Sequence, residues 1–189
     1  VVTLTFSSPS SGVNLIVEYI IENNYGKGNI TLQAATLSST STGLPFYDNF
    51  NRSVLGSDWS IYNDSSPKAP NWQIINGELN QTNRVESVSS FDGTYHKGTY
   101  VYLTSRSGLR DYRFSAEATY LNDAYGYADD IGIMFRYQNN DNYYRITLNS
   151  RYGFTRLEKK VNGTFRTLAK NARGFQKGAK LRFTVDVKG

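Results

Sequence analysis

The chain has no cysteine and a single histidine, His96, among 189 residues. Without cysteine there is no disulfide framework and no thiolate metal site. One histidine excludes a multi-histidine zinc centre. A Ser-His-Asp arrangement would have to be built on His96, which stands in the turn-rich stretch DGTYHKGTY. Apolar runs are short: none approaches the ~18 residues that would span a bilayer, and the mean hydropathy is −0.51. No basic leader or cleavage pattern stands at Val1, which opens directly into a strand pattern. This reads as a mature or excised segment whose export signal would lie upstream. The length allows one ordinary domain plus an appendage, with a real core.

Tyrosine is abundant (15), while Met (1) and Trp (2) are scarce. Chains rich in Tyr, Asn, Ser and Thr and poor in Leu and Glu read as β proteins of the extracellular space or cell surface. The net charge of +5 would suit an acidic partner. The Lys and Arg are spread from Arg145 to Arg182, however, as on solvated outer faces of strands. No basic-aromatic motif is present, so nucleic acid is not expected as a partner.

Strand patterns dominate. VTLTF (2–6), VNLIVEYII (13–21) and NITLQAATL (29–37) alternate or are β-branched throughout, with Gly, Asn, Ser and Pro between them. SSTSTGLP (38–45) reads as a Ser/Thr linker between modules. Further strands follow from WQIINGELNQ (72–81) to KLRFTVDV (180–187), separated by turn signals at Asn76-Gly77, Asp92-Gly93, Asn162-Gly163 and Lys177-Gly178. No segment shows a capped helical period. The expected fold is an all-β antiparallel sandwich. Period two places Tyr144, Ile146 and Leu148 toward the core, with Tyr143, Arg145 and Thr147 outward. It also groups Ile131, Ile133, Phe135 and Tyr137 on one face.

Three pieces carry a family resemblance: FYDNFNRSVLGSDW (46–59), NWQIINGEL (71–79), and DDIGIMFRYQNNDNYYRI (129–146) with RLEKKVNGTFRTL (156–168) after it. Together they make residues 46–189 resemble a concanavalin A-like jelly roll of the laminin G-like and thrombospondin C-terminal type. That family includes sugar-binding and adhesion modules and some glycanases, and frequently holds a structural calcium. Jelly rolls of this kind continue past LRFTVDVKG by two or three strands. The resemblance thus implies an open edge, which the strands of residues 1–37 would cover within the chain or by donation to an identical subunit. Residues 1–37 also resemble the last strands of an upstream sandwich.

Calcium is the cofactor this resemblance implies. Hard cations take several oxygen ligands, and Asp129 and Asp130 stand where similar jelly rolls bind the ion. Asp123, Asn139 and Asp141 are further donors in short reach. Acids at a strand start are equally ordinary turn and solubility devices, so both uses are open. Asp48 and Asp186 form a weaker second pair, near the first and last strands. Glycanases of this fold set their acids at Glu-x-Asp-x-Glu spacing on one strand. Glu78, Glu86, Glu117 and Glu158 each lack an acid two residues on, so an enzyme of that type is not expected.

Flat rings beside amides, acids and guanidinium groups suit sugars, whose C–H faces stack and whose hydroxyls hydrogen-bond. Tyr120, Asn122, Tyr125 and Tyr127 fall in one stretch, and Arg136, Tyr143 and Arg145 form an outward row if their strands pair. Tyrosine also fills core rims, and that use stands beside the first. Asn29, Asn51, Asn63, Asn80 and Asn162 head glycosylation sequons. The sequence therefore reads as a non-catalytic extracellular module that binds polysaccharide or a surface glycan, or mediates adhesion. The alternatives are a filament or surface-layer subunit built by strand addition and, lower, a glycanase.

Overall fold

The structure, a computed structural model, describes residues 2–7, 18–23, 29–39, 45–63, 69–83, 98–104, 109, 111–122 and 129–188. They form fourteen strands: β1 (Val2–Ser7), β2 (Glu18–Asn23), β3 (Asn29–Ser39), β4 (Phe46–Asp48), β5 (Trp59–Asn63), β6 (Trp72–Ile75), β7 (Glu78–Gln81), β8 (Thr99–Leu103), β9 (Tyr112–Asn122), β10 (Asp129–Asn139), β11 (Asn142–Asn149), β12 (Phe154–Val161), β13 (Thr164–Asn171) and β14 (Lys180–Lys188). One sheet runs β1-β14-β9-β3-β7-β6, with β4 also pairing β3; the other runs β13-β12-β11-β10-β2-β8-β5. All pairs are antiparallel except β1 on β14. No helix among the described residues is long and apolar enough to cross a membrane.

One core lies between the sheets. Ile30, Leu32, Leu79, Phe114, Ala118 and Val185 enter it from the first sheet, and Val101, Leu103, Ile131, Ile133 and Ile146 from the second. Each large side chain of this kind contributes about 1.5–3 kcal/mol on burial. The tight turns follow their dipeptides. Asn76-Gly77 and Asn162-Gly163 have φ of 53°, 76°, 46° and 78°, the left-handed pair that two-residue hairpins require. The turn expected at Asp92-Gly93 lies outside the described residues.

The N-terminal strands β1, β2 and β3 are built into the same two sheets as the rest. β2 lies between β10 and β8, and β3 lies between β9 and the strands β7 and β4; only β1 is at an edge. The stretch 38–45 is not simply a linker. Ser38 and Ser39 continue β3, and Phe46 then pairs back on Leu37. Residues 40–44 lie outside the described residues.

The FYDNFNRSVLGSDW segment is a polar lock. Asp48 Oδ1 accepts the Phe50 N–H at 2.7 Å and Arg52 Nη1 at 2.6 Å, while Oδ2 accepts Arg52 Nη2 and Trp59 Nε1, each at 2.7 Å. These bonds hold Phe50 at φ 56°, which costs a non-glycine residue roughly 1–3 kcal/mol. In return Phe50 and Phe46 close on the Trp59 ring at 5.6 and 5.8 Å. Burial alone would raise the Asp48 carboxyl; the bonds from Arg52, Phe50 and Trp59 outweigh it and hold the group below its ordinary 3.8. A depressed folded-state value means the lock contributes fully above pH 3.8 and is lost as pH falls through the folded value. In urea melts, Asp48→Asn is expected to cost about 2–3 kcal/mol at pH 7, with the deficit shrinking in acid. Equal stability of the two proteins at pH 7 would refute the lock.

Candidate functional site

In the middle of the second sheet, β8, β10 and β11 are largely buried on both sides and β12 on its outer side. Val101 and Leu103 of β8 enter the core, so Tyr100 and Tyr102 point the other way. By the same alternation Met134, Tyr143, Arg145, Thr147, Arg156, Glu158 and Lys160 stand on the outer side of β10–β12. Tyr137 joins them through a bulge, which corrects its expected place beside Phe135. The β10–β11 register shifts between Phe135 and Asn139, and Arg136 sits at φ 50°. An extra residue moves every later side chain to the opposite face.

The result is a continuous run of rings across the sheet. Tyr100, Met134, Tyr137 and Tyr143 form an apolar cluster separate from the core, with half-buried Tyr62, Tyr102 and Phe165 against it. From β13 inward, Phe165 meets Tyr143 at 5.9 Å and Tyr143 stacks on Tyr137 at 6.0 Å; Tyr137 stacks on Tyr102 at 6.0 Å and meets Tyr100 at 6.3 Å, and Tyr100 meets Tyr62 at 4.9 Å. The centroid steps from Phe165 through Tyr143, Tyr137 and Tyr100 to Tyr62 limit the length of the run to about 23 Å. The Asn-Asn-Asp-Asn loop braces it. Asn140 Oδ1 accepts the Tyr100 hydroxyl at 2.6 Å and that of Tyr137, and Asn140 O accepts Lys160 Nζ at 2.7 Å. Asn139 Oδ1 takes the Asp141 N–H at 2.9 Å, a turn-former's bond, and Asn142 Oδ1 takes the Asn162 N–H at 3.1 Å.

Beside the rings lies a buried ion cluster. Arg145 Nε donates to Glu158 Oε2 at 2.7 Å, and Arg156 Nε lies 3.6 Å from Oε1. Side-chain exposures of 1%, 0% and 5% for Arg145, Glu158 and Arg156 place the cluster out of water although it lies away from the core.

Tyr143 and Arg145 thus share the outer face, as alternation requires, but both are buried within it. Arg136 leaves that row: its backbone N–H donates to the Tyr112 hydroxyl at 3.1 Å, and Nη2 donates to Lys188 O at 2.8 Å. Tyr120 is fully buried in the main core, edge-on to Phe175 at 5.9 Å, because position 120 shares the inward parity of Phe114 and Ala118. Asp123, Tyr125, Tyr127 and His96 lie outside the described residues. The backbones of Asn29, Asn122 and Asp129 are described; their side chains are not.

Of the five oxygen donors expected around one ion, the three whose side chains are described, Asp130, Asn139 and Asp141, do not converge. Asp130 is buried and accepts Asn149 Nδ2 at 2.5 Å. Asn139 ends the same strand and Asp141 lies in the turn after it, about 30 Å away by strand rise. Asp48 is committed to its lock on the inner side. Asp186 pairs with Arg113 at 2.6 and 2.8 Å on the outer side of the first sheet. Among the described residues no three of His, Cys, Asp and Glu gather as a metal-holding group. Of the sequon asparagines, Asn51 and Asn162 are exposed and Asn63 is half-buried. Asn80 is buried, accepting the Thr31 hydroxyl at 2.7 Å, and is closed to a glycan.

The residues missed in the sequence are Tyr62, Tyr100, Tyr102, Asn140, Glu158 and Phe165. TYVYL did carry a signal, since its tyrosines alternate with Val101 and Leu103. Glu158 stood out only as the one acid in FTRLEKKV. No protein-family model, curated protein or solved structure matches this chain.

Removing Glu158 leaves buried guanidinium groups without that carboxylate. Glu158→Gln is expected to lose about 3–5 kcal/mol, whereas exposed Lys170→Gln changes stability by less than about 0.5 kcal/mol, both read by urea denaturation. A Glu158→Gln protein as stable as the parent would show that the cluster is not needed for folding.

Proposed function

We propose that this chain is a non-catalytic carbohydrate-binding module acting outside the cell or at its surface, with glycan lying along the ring-lined face of the second sheet. The observation that carries this reading is the run of aromatic rings from Phe165 to Tyr62, with half-buried members at both ends and in the middle. Flat rings take the C–H faces of sugars, and the neighbouring amide and phenol groups take hydroxyls. The half-buried rings Phe165, Tyr102 and Tyr62 lie on different strands of the run, and such spaced positions suit a chain of sugars better than a single terminal residue.

Glu158 and Asp130, the carboxylates of that face whose side chains are described, are not placed as a hydrolytic pair. Glu158 registers with Arg145, and Arg145 with Met134, four residues along β10 from Asp130. Four residues along and two strands across separate the two acids by roughly 16 Å, beyond the ~9.5 Å at which paired carboxyls act on one glycosidic bond. Glu158 is also held by guanidinium groups, and Asp130 by Asn149.

Isothermal titration against a panel of soluble polysaccharides tests the reading. Tyr102→Ala and Tyr62→Ala are each expected to weaken binding by about 5- to 150-fold, the range seen when a stacking ring is truncated, with the fold retained. Unchanged affinity in both variants would move the site elsewhere, and no binding by any glycan would overturn the function.

A further inference from the structure

The charges of the chain are segregated. From Asn142 to Phe183 there are eleven Lys and Arg against one acid, Glu158; the rest of the chain carries ten against fifteen. The first stretch is therefore +10 and the remainder −5. Strand pairing gathers much of that basic stretch at one end of the second sheet, because β11, β12 and β13 are consecutive and β13 is the edge.

There, cations and rings interleave on the outer side. Arg145 Cζ lies 4.2 Å and Lys160 Nζ 5.2 Å from the Phe165 ring centre, and Lys160 Nζ lies 5.3 Å from that of Tyr143. Arg156 Cζ and Lys170 Nζ lie 4.4 and 4.7 Å from the centre of Phe154. Lys170, in register with Arg156 on that side, is exposed, as are Arg151 and Arg173 at the nearby turns, whereas Arg166 pairs with Lys159 on the other face. The acids nearby are Glu158, Asp130 and Asp141, the last 3.8 Å from Lys160. The register also sets Glu18 and Glu22 of β2 opposite Met134 and Asp130, across β10 from the basic edge.

We propose that the glycan bound by this face is an acidic polysaccharide, its carboxylate or sulfate groups held at the β11–β13 end and its uncharged ring faces stacked toward Tyr102 and Tyr62. This rests on the carbohydrate reading above. Guanidinium groups match planar or tetrahedral oxyanions with paired N–H donors, and a positive edge speeds and steers the approach of a polyanion. The ring run leaves the cations behind beyond Tyr137. A sugar chain tolerates that change of surface better than a nucleic acid, which carries a phosphate at every step.

Titrations of the intact chain with polygalacturonate, its carboxyl-reduced neutral form, heparin and a single-stranded oligodeoxynucleotide decide the matter. One or both acidic glycans should bind at least tenfold tighter than the neutral form at 50 mM salt and lose about tenfold by 200 mM, as counterion release requires. The exposed-site variant Lys170→Gln/Arg173→Gln should lose about tenfold for the acidic glycan and nothing for the neutral one. Preference for polygalacturonate or for heparin then separates carboxylate from sulfate. Equal, salt-independent, Tyr102-dependent binding of neutral and acidic forms would overturn the charge assignment while leaving the carbohydrate reading intact. Tighter binding of the oligonucleotide than of either acidic glycan would overturn the assigned partner, and silence from every glycan would overturn both readings.

Discussion

The middle strands of the second sheet are buried on their outer as well as their inner side, and much of the molecule follows from that constraint. An antiparallel sheet ordinarily packs one face on a core and leaves the other wet. Here charged side chains stand at outer positions with almost no access to water, so each needs a partner. Glu158 meets that need for Arg145 and contacts Arg156, while Lys160 donates to the Asn140 carbonyl. Such arrangements seldom add net stability over an apolar replacement. Their effect is directional: a buried ion pair tolerates one register, and β11 and β12 are fixed to each other by it. The rings of Tyr143 and Phe165 are set by the same strands, so the charged cluster and the aromatic run form one construction.

A second constraint acts at the other end of the chain. The Asp48 carboxylate gathers four donors from three residues of a short loop, carries Phe50 into a left-handed conformation and seats Trp59 in the core. β4 and β5 belong to different sheets, so this loop is a crossing point between the layers. β3 supplies the complementary crossing in space: it is central to the first sheet, and β4 pairs directly on it. The N-terminal strands are thus structural members of the sandwich, and the core includes Ile30, Leu32 and Ala35 from them.

The proposed carbohydrate face and its basic edge share one physical argument. A stacked ring offers affinity without charge, and a fixed guanidinium offers orientation at a charged group. The two occur together only at the β11–β13 end, which makes the face asymmetric along its length. A ligand with distinct ends, or with charged and neutral stretches, would therefore have a preferred direction on it.

The all-β class, the Asn-Gly hairpins and the inward parity of Ile131, Ile133, Ile146 and Leu148 were determined by the sequence itself, because each depends on the chemistry of neighbouring residues and on the two-residue strand period. Which strand lies beside which is a non-local matter, and there the sequence reading ran out. It grouped Asp130 with Asn139 and Asp141, close in number, but an extended strand separates such neighbours by about 3.3 Å per residue. It placed Tyr137 with Phe135 because nothing local announced the bulge at Arg136. Tyr120 adjoins the loop that follows it in sequence, but its parity points to the core. Tyr62, Tyr102 and Phe165 sit on strands far apart in sequence and share a face only through the sheet order. The Lys and Arg between Arg145 and Arg182 looked evenly spread along the line of the chain; a three-strand meander folded much of that line into one edge and made it a local concentration of charge.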